Sequence, residues 1–242
     1  MVSAILITRN EQDSILDSLN SVSFCDEWIV VDDHSTDNTK KIAKQFGARV
    51  YTRSLNGDYA SQRNWAASKA KGEWLFFIDA DEIADDTLSK SIKKVAESAV
   101  FVAYNVHRHD VFLGKKLNYG DGCQKITRLY KKGHGKFVGK VHEVLEVSGE
   151  VGELEGQLIH YSHPTVSEFV EKVKNYSQLH VGSTNLPIMG SRFNFVILPP
   201  TKFFYSYILK LGFLDGVVGF VYSTMMSLHS FLSWSNKYLT KK

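Results

Sequence analysis

A run of five apolar residues, Trp74-Leu75-Phe76-Phe77-Ile78, stops abruptly at Asp79-Ala80-Asp81-Glu82. A run this short, with Gly72 ahead of it, suits a strand buried on both faces, and such strands belong to the parallel sheets of α/β proteins. Open sheets of that kind bind ligands outside the carboxyl ends of their strands, which is where these carboxylates fall. In an extended chain Asp79 and Asp81 point to the same side. A turn would still let their oxygens converge on one cation. Mg²⁺ is commonly held by one or two carboxylates together with substrate phosphates. The competing reading is an acidic loop that caps the next helix, but Asp85, ahead of Asp86-Thr87-Leu88-Ser89, can cap alone.

The first hundred residues alternate strand and helix. Val2 to Thr8 reads as a buried strand and Glu11 to Leu19 as a helix with Ile15, Leu16 and Leu19 on one face. Glu27 to Val31 is a second strand, ending at Asp32-Asp33. Ser35-Thr36-Asp37 offers capping oxygens for a helix that Gly47 stops after Phe46. Ala48 to Thr52 is a third strand, and Ser61 to Lys71 a helix closed by Gly72. Helical crossovers of this length imply a largely parallel sheet. Beyond Ser98 the pattern changes: Val100 to Arg108 and Lys125 to Tyr130 look like strands among Gly-rich turns, and Thr165 to Val181 looks helical.

The 242 residues suffice for one α/β domain with an appendage or for two small domains. Cys25 and Cys123 have neither metal-ligand nor redox spacing, so free thiols in a reducing compartment are expected. Arg9 and Asn10 interrupt the opening apolar run before it reaches the length of a signal segment. Nine Lys/Arg lie between Arg108 and Lys140, but without the interleaved aromatics and dense arginine of a nucleic-acid surface, and no nucleic-acid partner is expected. The histidines at 107, 109, 134, 142, 160 and 163 lack zinc spacing and read as solvated or core residues.

Charge is distributed unevenly. From Thr201 to Lys242 five lysines face one acid, Asp215, a net of +4 against +3 for the whole chain, so the rest carries −1. This tail is also aromatic and apolar, in two stretches, Lys202 to Leu211 and Phe213 to Leu232, that follow Pro199-Pro200. Leu211 to Leu228 is barely long enough to span a bilayer, and Asp215 with three glycines argues against a simple span. A helix lying in the membrane interface fits better. Core helices or a homodimer through them are the other reading.

Three strand ends thus carry polar groups: Thr8-Arg9-Asn10-Glu11, Asp32-Asp33 and Asp79-Ala80-Asp81-Glu82. With Gln62-Arg63-Asn64-Trp65-Ala66, they make residues 1–100 resemble the family 2 glycosyltransferases of the GT-A fold. Less specifically, Val141-His142-Glu143, His160-Tyr161-Ser162-His163 and Gly212-Phe213-Leu214-Asp215-Gly216 resemble short bacterial enzymes that add glucose or a similar sugar to the inner core of lipopolysaccharide. The resemblance implies a Rossmann-like, mostly parallel sheet flanked by helices over residues 1–190. Residues 1–100 would bind the sugar nucleotide and 101–190 would face the acceptor, with a helical, membrane-associating appendage at 191–242. It also implies a cytoplasmic enzyme, peripheral on the inner membrane.

The implied roles fall residue by residue. Thr8, Asn10 and Glu11 would contact the nucleotide, with Asp32 or Asp33 on the uracil or ribose. Arg63 would fix the nucleotide or its diphosphate, Asp79 would lie near the ribose or the metal, and Asp81 would hold the metal, Mg²⁺ or Mn²⁺. His34 stands where the family usually has glycine, which puts the turn after Asp33 in question. The donor would be a UDP-hexose and the acceptor a lipid-linked glycan. Transfer with inversion needs a base, for which Glu143 is the first candidate and Asp121 the second. Alternative readings are transfer to a polyprenyl phosphate or another surface glycan, and a sugar-nucleotide-binding protein without catalysis.

Overall fold

The computed structural model describes residues 1–140, 143–163, 165, 169 and 191–239. The expected helix at 165–181 lies outside the described residues, apart from Thr165 and Phe169. Packing divides the chain into two compact units that interleave in sequence: residues 1–108 with 125–160, and residues 109–124 with 161–242.

In the first unit, β1 (Val2–Thr8) pairs in parallel with β2 (Glu27–Asp32) and with β4 (Trp74–Phe77), and β2 pairs in parallel with β3 (Arg49–Thr52). Next come β8 (Cys123–Lys131), antiparallel to β4, then β6 (Ala103–Phe112), β11 (Val151–His163) and β5 (Glu82–Ala84), so the order is β3-β2-β1-β4-β8-β6-β11-β5. A separate hairpin joins β9 (Gly135–Val138) to β10 (Val144–Val147). The fold is mixed α/β with helices flanking the sheet.

The central strands bury both faces, as their continuous apolar runs require. Ala4, Leu6, Phe76 and Ile78 face one core with Ile15 and Leu19 of α1 (Ile15–Ser21), Ala43 of α2 (Thr39–Phe46), and Leu88 and Ile92 of α4 (Asp86–Glu97). The alternating residues Ile5, Leu75 and Phe77 face the other core with Ala60 and Ala66 of α3 (Tyr59–Lys69), Tyr130 and Phe137.

Local chemistry sets the helix ends. Asp58 caps α3 by accepting from the Ser61 amide at 2.8 Å, and Asp85 caps α4 by accepting from the Leu88 amide at 2.7 Å. Gly47, at φ 104°, ends α2 in the left-handed conformation that glycine tolerates. The first helix starts later than expected: Glu11 to Ser14 form a turn in which the Glu11 carbonyl accepts from the Ser14 and Ile15 amides.

The second unit contains β7 (Lys115–Lys116), paired with the end of β6, and two helices, α5 (Ser191–Phe204) and α6 (Gly216–Leu239). Pro199 and Pro200 lie inside α5 rather than breaking it. Its core gathers Phe112, Leu117, Phe169, Tyr222 and Met225. The Tyr222 hydroxyl donates to buried Asp110, which satisfies a carboxylate that would otherwise be costly to bury. Among the described residues no single helix is long and apolar enough to cross a membrane.

Candidate active site

The register places Thr8 beside Asp32 and Ile5 beside Phe77, so the loops leaving β2, β1 and β4 emerge side by side at one sheet edge. The first two loops are tied together. Asn10, at φ 55°, donates its amide to Ser35 Oγ (2.8 Å), and its Oδ1 accepts from the Thr36 amide (2.9 Å). The Glu11 amide donates to Thr39 Oγ1 and the Glu11 carboxylate accepts from Ser14 Oγ, both at 2.8 Å.

The double aspartate divides its labour. Asp32 is fully buried and accepts from the Ser35 amide (2.9 Å), from Ser35 Oγ and from Thr8 Oγ1 (3.3 Å), with Lys40 Nζ at 3.7 Å. The structure therefore turns Thr8 and Asp32 inward as supports, because their polar groups are consumed there. Asp33 is also buried, at 8% exposure: its carboxylate accepts from the Leu55 amide and pairs at 3.0 Å with Arg9, whose side chain is exposed. His34 adopts φ 54°, the left-handed turn expected of glycine, and its Nε2 hydrogen-bonds Ser54 Oγ at 2.9 Å. Histidine tolerates this region better than most side chains, so the turn survives the replacement.

Beyond β4 the chain turns at Asp79, whose amide donates to Glu82 and whose carbonyl accepts from the Glu82 amide. This turn separates the two aspartates. Asp79 Oδ1 pairs with Arg63 at 2.8 Å and its Oδ2 with Arg128 at 2.7 Å. Arg128 continues to fully buried Glu82 at 2.9 Å, and Arg63 Nε donates to Glu143 Oε1 at 2.7 Å. The result is a ladder of alternating charge, Glu143–Arg63–Asp79–Arg128–Glu82. Burial opposes ionisation of Asp79, but Arg128 and then Arg63 outweigh it and hold the carboxyl well below the usual carboxylate range. Burial likewise disfavours the charged guanidinium groups, yet Asp79 raises the proton affinity of both arginines.

Asp81 turns elsewhere, with its Oδ2 3.4 Å from Nε2 of His160 in β11. Histidine spacing gave no hint of this pair, because it forms only when β11 pairs with β5 and sets His160 opposite Glu82. Among the described residues no group of three or more His, Cys, Asp or Glu side chains is arranged to hold a metal ion. Asp81 and His160 nevertheless supply two donors of the right kind for a cation whose other ligands come from a diphosphate. Asp79, with both oxygens committed to arginines, is not such a donor. An imidazole ligand suits a transition metal such as Mn²⁺ better than Mg²⁺.

Two donors inside the ladder are unsatisfied. Arg63 Nη1 and Arg128 Nε are buried without a hydrogen-bond partner among the described residues. Buried donors of this kind call for acceptors. Arg63 also lies over the rings of Phe77 and Phe137, which fixes its plane.

Glu143 follows a hairpin strand that α3 clamps. The Asn64 side chain both donates to the Phe137 carbonyl (2.8 Å) and accepts from its amide (2.9 Å), and the Tyr59 amide donates to the Lys140 carbonyl. The Gln62-Arg63-Asn64 run thus ties Arg53, Asp79 with Glu143, and the β9 strand to one helix. The neighbouring Val141 and His142 lie outside the described residues. Asp121 belongs to the second unit, where Lys202 (2.9 Å) and Lys210 (3.0 Å) pair with its carboxylate. Burial opposes its ionisation, but the two lysines keep its pKa lowered.

Parallel strands that end in polar loops at one sheet edge, followed by an Asp-x-Asp turn, are the arrangement of a glycosyltransferase of the GT-A type. Residues 3–139 match the model of glycosyl transferase family 2, and the chain belongs to that family. An uncharacterized glycosyltransferase of Rickettsia conorii is 30% identical over 96% of this chain and 87% of its own length. The lipopolysaccharide core biosynthesis glycosyltransferase LpsC of Rhizobium meliloti is 27% identical over 98% of this chain and 92% of its own. The crystal structure of TarS from S. aureus, 15% identical, superposes with a TM-score of 0.50 over 98% of this chain and 54% of that one, a likeness of fold.

Proposed function

We infer that this family 2 glycosyltransferase moves a hexose, glucose by preference, from UDP-hexose to a lipid-linked glycan of the lipopolysaccharide core, with inversion at the anomeric carbon. The observation that carries the reading is the Asp79–Asp81 turn. One aspartate is locked anionic between two buried arginines and the other stands beside His160. The relationship to LpsC, over nearly the whole of both chains, supports the acceptor class.

In this reading Asp33, with Arg9 beside it, meets the base or ribose, and Asn10 and Glu11 shape the loop that receives them. Asp81 and His160 hold the divalent ion. When bound, that ion neutralises charge developing on the departing UDP. Arg63 Nη1 and Arg128 Nε donate to donor oxygens and complete the hydrogen bonds that the ladder leaves open. Glu143 takes the proton from the attacking acceptor hydroxyl. Its Oε1 is held by Arg63, and the described residues bring no donor to Oε2. The acceptor oxygen bonds to the anomeric carbon as the bond to the diphosphate breaks, and the leaving group departs as UDP.

Titration calorimetry tests the first step. UDP should bind with an affinity that rises when Mn²⁺ or Mg²⁺ is added, and UDP-glucose should be slowly hydrolysed. Metal-independent binding without hydrolysis would instead favour a sugar-nucleotide-binding protein lacking catalysis.

A further inference from the structure

The second unit carries a largely apolar elbow. Neither Val196–Leu209 nor Gly212–Asn236 is long and apolar enough to cross a bilayer alone; together they have the length and composition for it, and they bend by 73° at the break between them. The bend is written into the sequence. Leu211 sits at φ 60° and Gly216 at φ 65°. A Cβ on Gly219 would fall 2.1 Å from the Gly212 carbonyl oxygen, and one on Gly212 would fall 2.8 Å from that of Ser206. The glycines that argue against a straight span are thus what lets the turns on either side of the bend pack closely.

Asp215 no longer counts against a lipid environment either. It is 2% exposed, and its Oδ2 accepts from the amides of Asn118 (3.0 Å) and Tyr119 (2.9 Å). Around the bend the chain shows water a set of large apolar side chains: Phe204, Ile208, Leu209, Leu211, Leu214 and Val217, with Leu209 72% and Val217 79% exposed. Soluble surfaces rarely leave such a patch uncovered unless something binds there.

Charge indicates what covers it. Every described acidic side chain of this unit, Asp110, Asp121 and Asp215, is buried. Lys115 is exposed, and Lys202 and Lys210 each keep about a third of their side chains in water while sharing the single carboxylate of Asp121. The surface is therefore apolar at the elbow and basic beside it. An anionic phospholipid leaflet complements both features and needs no matching shape. A second copy of the elbow would bring lysines of the same sign together.

We propose that the elbow from Phe204 to Phe220 inserts as a wedge into one leaflet of an anionic bilayer, entering the headgroup–acyl boundary without crossing. The proposal rests on the glycosyltransferase reading for its purpose, confinement with a lipid-borne acceptor, but vesicle binding itself needs no acceptor.

Flotation of the full chain with acceptor-free vesicles, phosphatidylglycerol in phosphatidylcholine against phosphatidylcholine alone, tests it. The wild type should float with the anionic vesicles and less so at high salt. Leu209→Glu with Val217→Glu, both at exposed positions, should lower the bound fraction at least about tenfold, since charge is costly in hydrocarbon. UDP-glucose hydrolysis in the same variant should be unchanged. Absence of flotation, flotation of the double variant equal to wild type, or a lipid-free dimer that the double variant splits would overturn the wedge. Hydrolysis measured alongside keeps the two ideas apart: intact turnover without flotation rejects the wedge alone, and flotation without turnover rejects the transferase reading alone.

Discussion

Asp79→Asn should cost the protein stability before any catalytic effect is considered. The carboxylate is shared by two guanidinium groups with side chains 7% and 9% exposed, while Asp79 itself is 27% exposed. Removing one member of a buried pair typically costs about 3–5 kcal/mol, because the partner is left charged and unpaired. Glu143 and Glu82 still accompany the two arginines, and Asp79 is partly hydrated, so the low end, about 3 kcal/mol, is expected. The effect has a pH signature. Because the folded pKa is depressed, this stabilisation is fully present above the unfolded carboxyl value of about 3.9 and is lost as the pH falls from there through the folded value. Urea denaturation followed by circular dichroism, at pH 7 and at steps down to pH 3, measures both. The gap between wild type and variant should be widest at pH 7 and narrow below pH 4. A loss below about 1 kcal/mol, the level of an exposed ion pair, or a gap independent of pH would refute the ladder as a structural element.

Asp81→Asn, by contrast, should leave the denaturation midpoint nearly unchanged, abolish the metal dependence of UDP binding in calorimetry and slow transfer about 10²–10³-fold. Glu143→Gln should slow transfer about 10²–10⁴-fold with UDP affinity retained, whereas Asp121→Asn should leave the rate within a few-fold and cost about 1 kcal/mol in a urea melt. Asn64→Leu removes two hydrogen bonds to the Phe137 backbone, worth about 1 kcal/mol each, and should speed hydrogen exchange at the Phe137 amide about tenfold or more.

Much of the nucleotide-binding half was legible because its signals are local. The Trp74–Phe77 run, the Asp85 cap and Gly47 each act within a few residues of themselves. What escaped the sequence is long-range. Glu82–Ala84 looks like a continuation of the acidic loop and becomes a strand only by pairing with Leu158–His160. The ladder joins Arg63 to a glutamate 80 positions away and Arg128 to Asp79 across 49, distances over which no spacing rule operates. For the same reason His160 read as an ordinary histidine. Asp32 and Asp33 were indistinguishable as letters, and only the direction of each side chain separates them: Asp32 accepts from Thr8 and Ser35, Asp33 from Leu55 and Arg9. Pro199-Pro200 lies inside α5, where Ser227 Oγ donates to the Pro199 carbonyl at 2.7 Å, a contact no local pattern announces.

The central claim is inverting hexose transfer supported by Asp81 and His160, and the anomeric configuration of the product tests it most directly. UDP-α-glucose, Mn²⁺ and a core oligosaccharide lacking its outer sugars should give a β-linked glucoside by proton NMR, with none formed in chelator or by Asp81→Asn. An α-linked product, or equal yield with chelator present, would contradict the account.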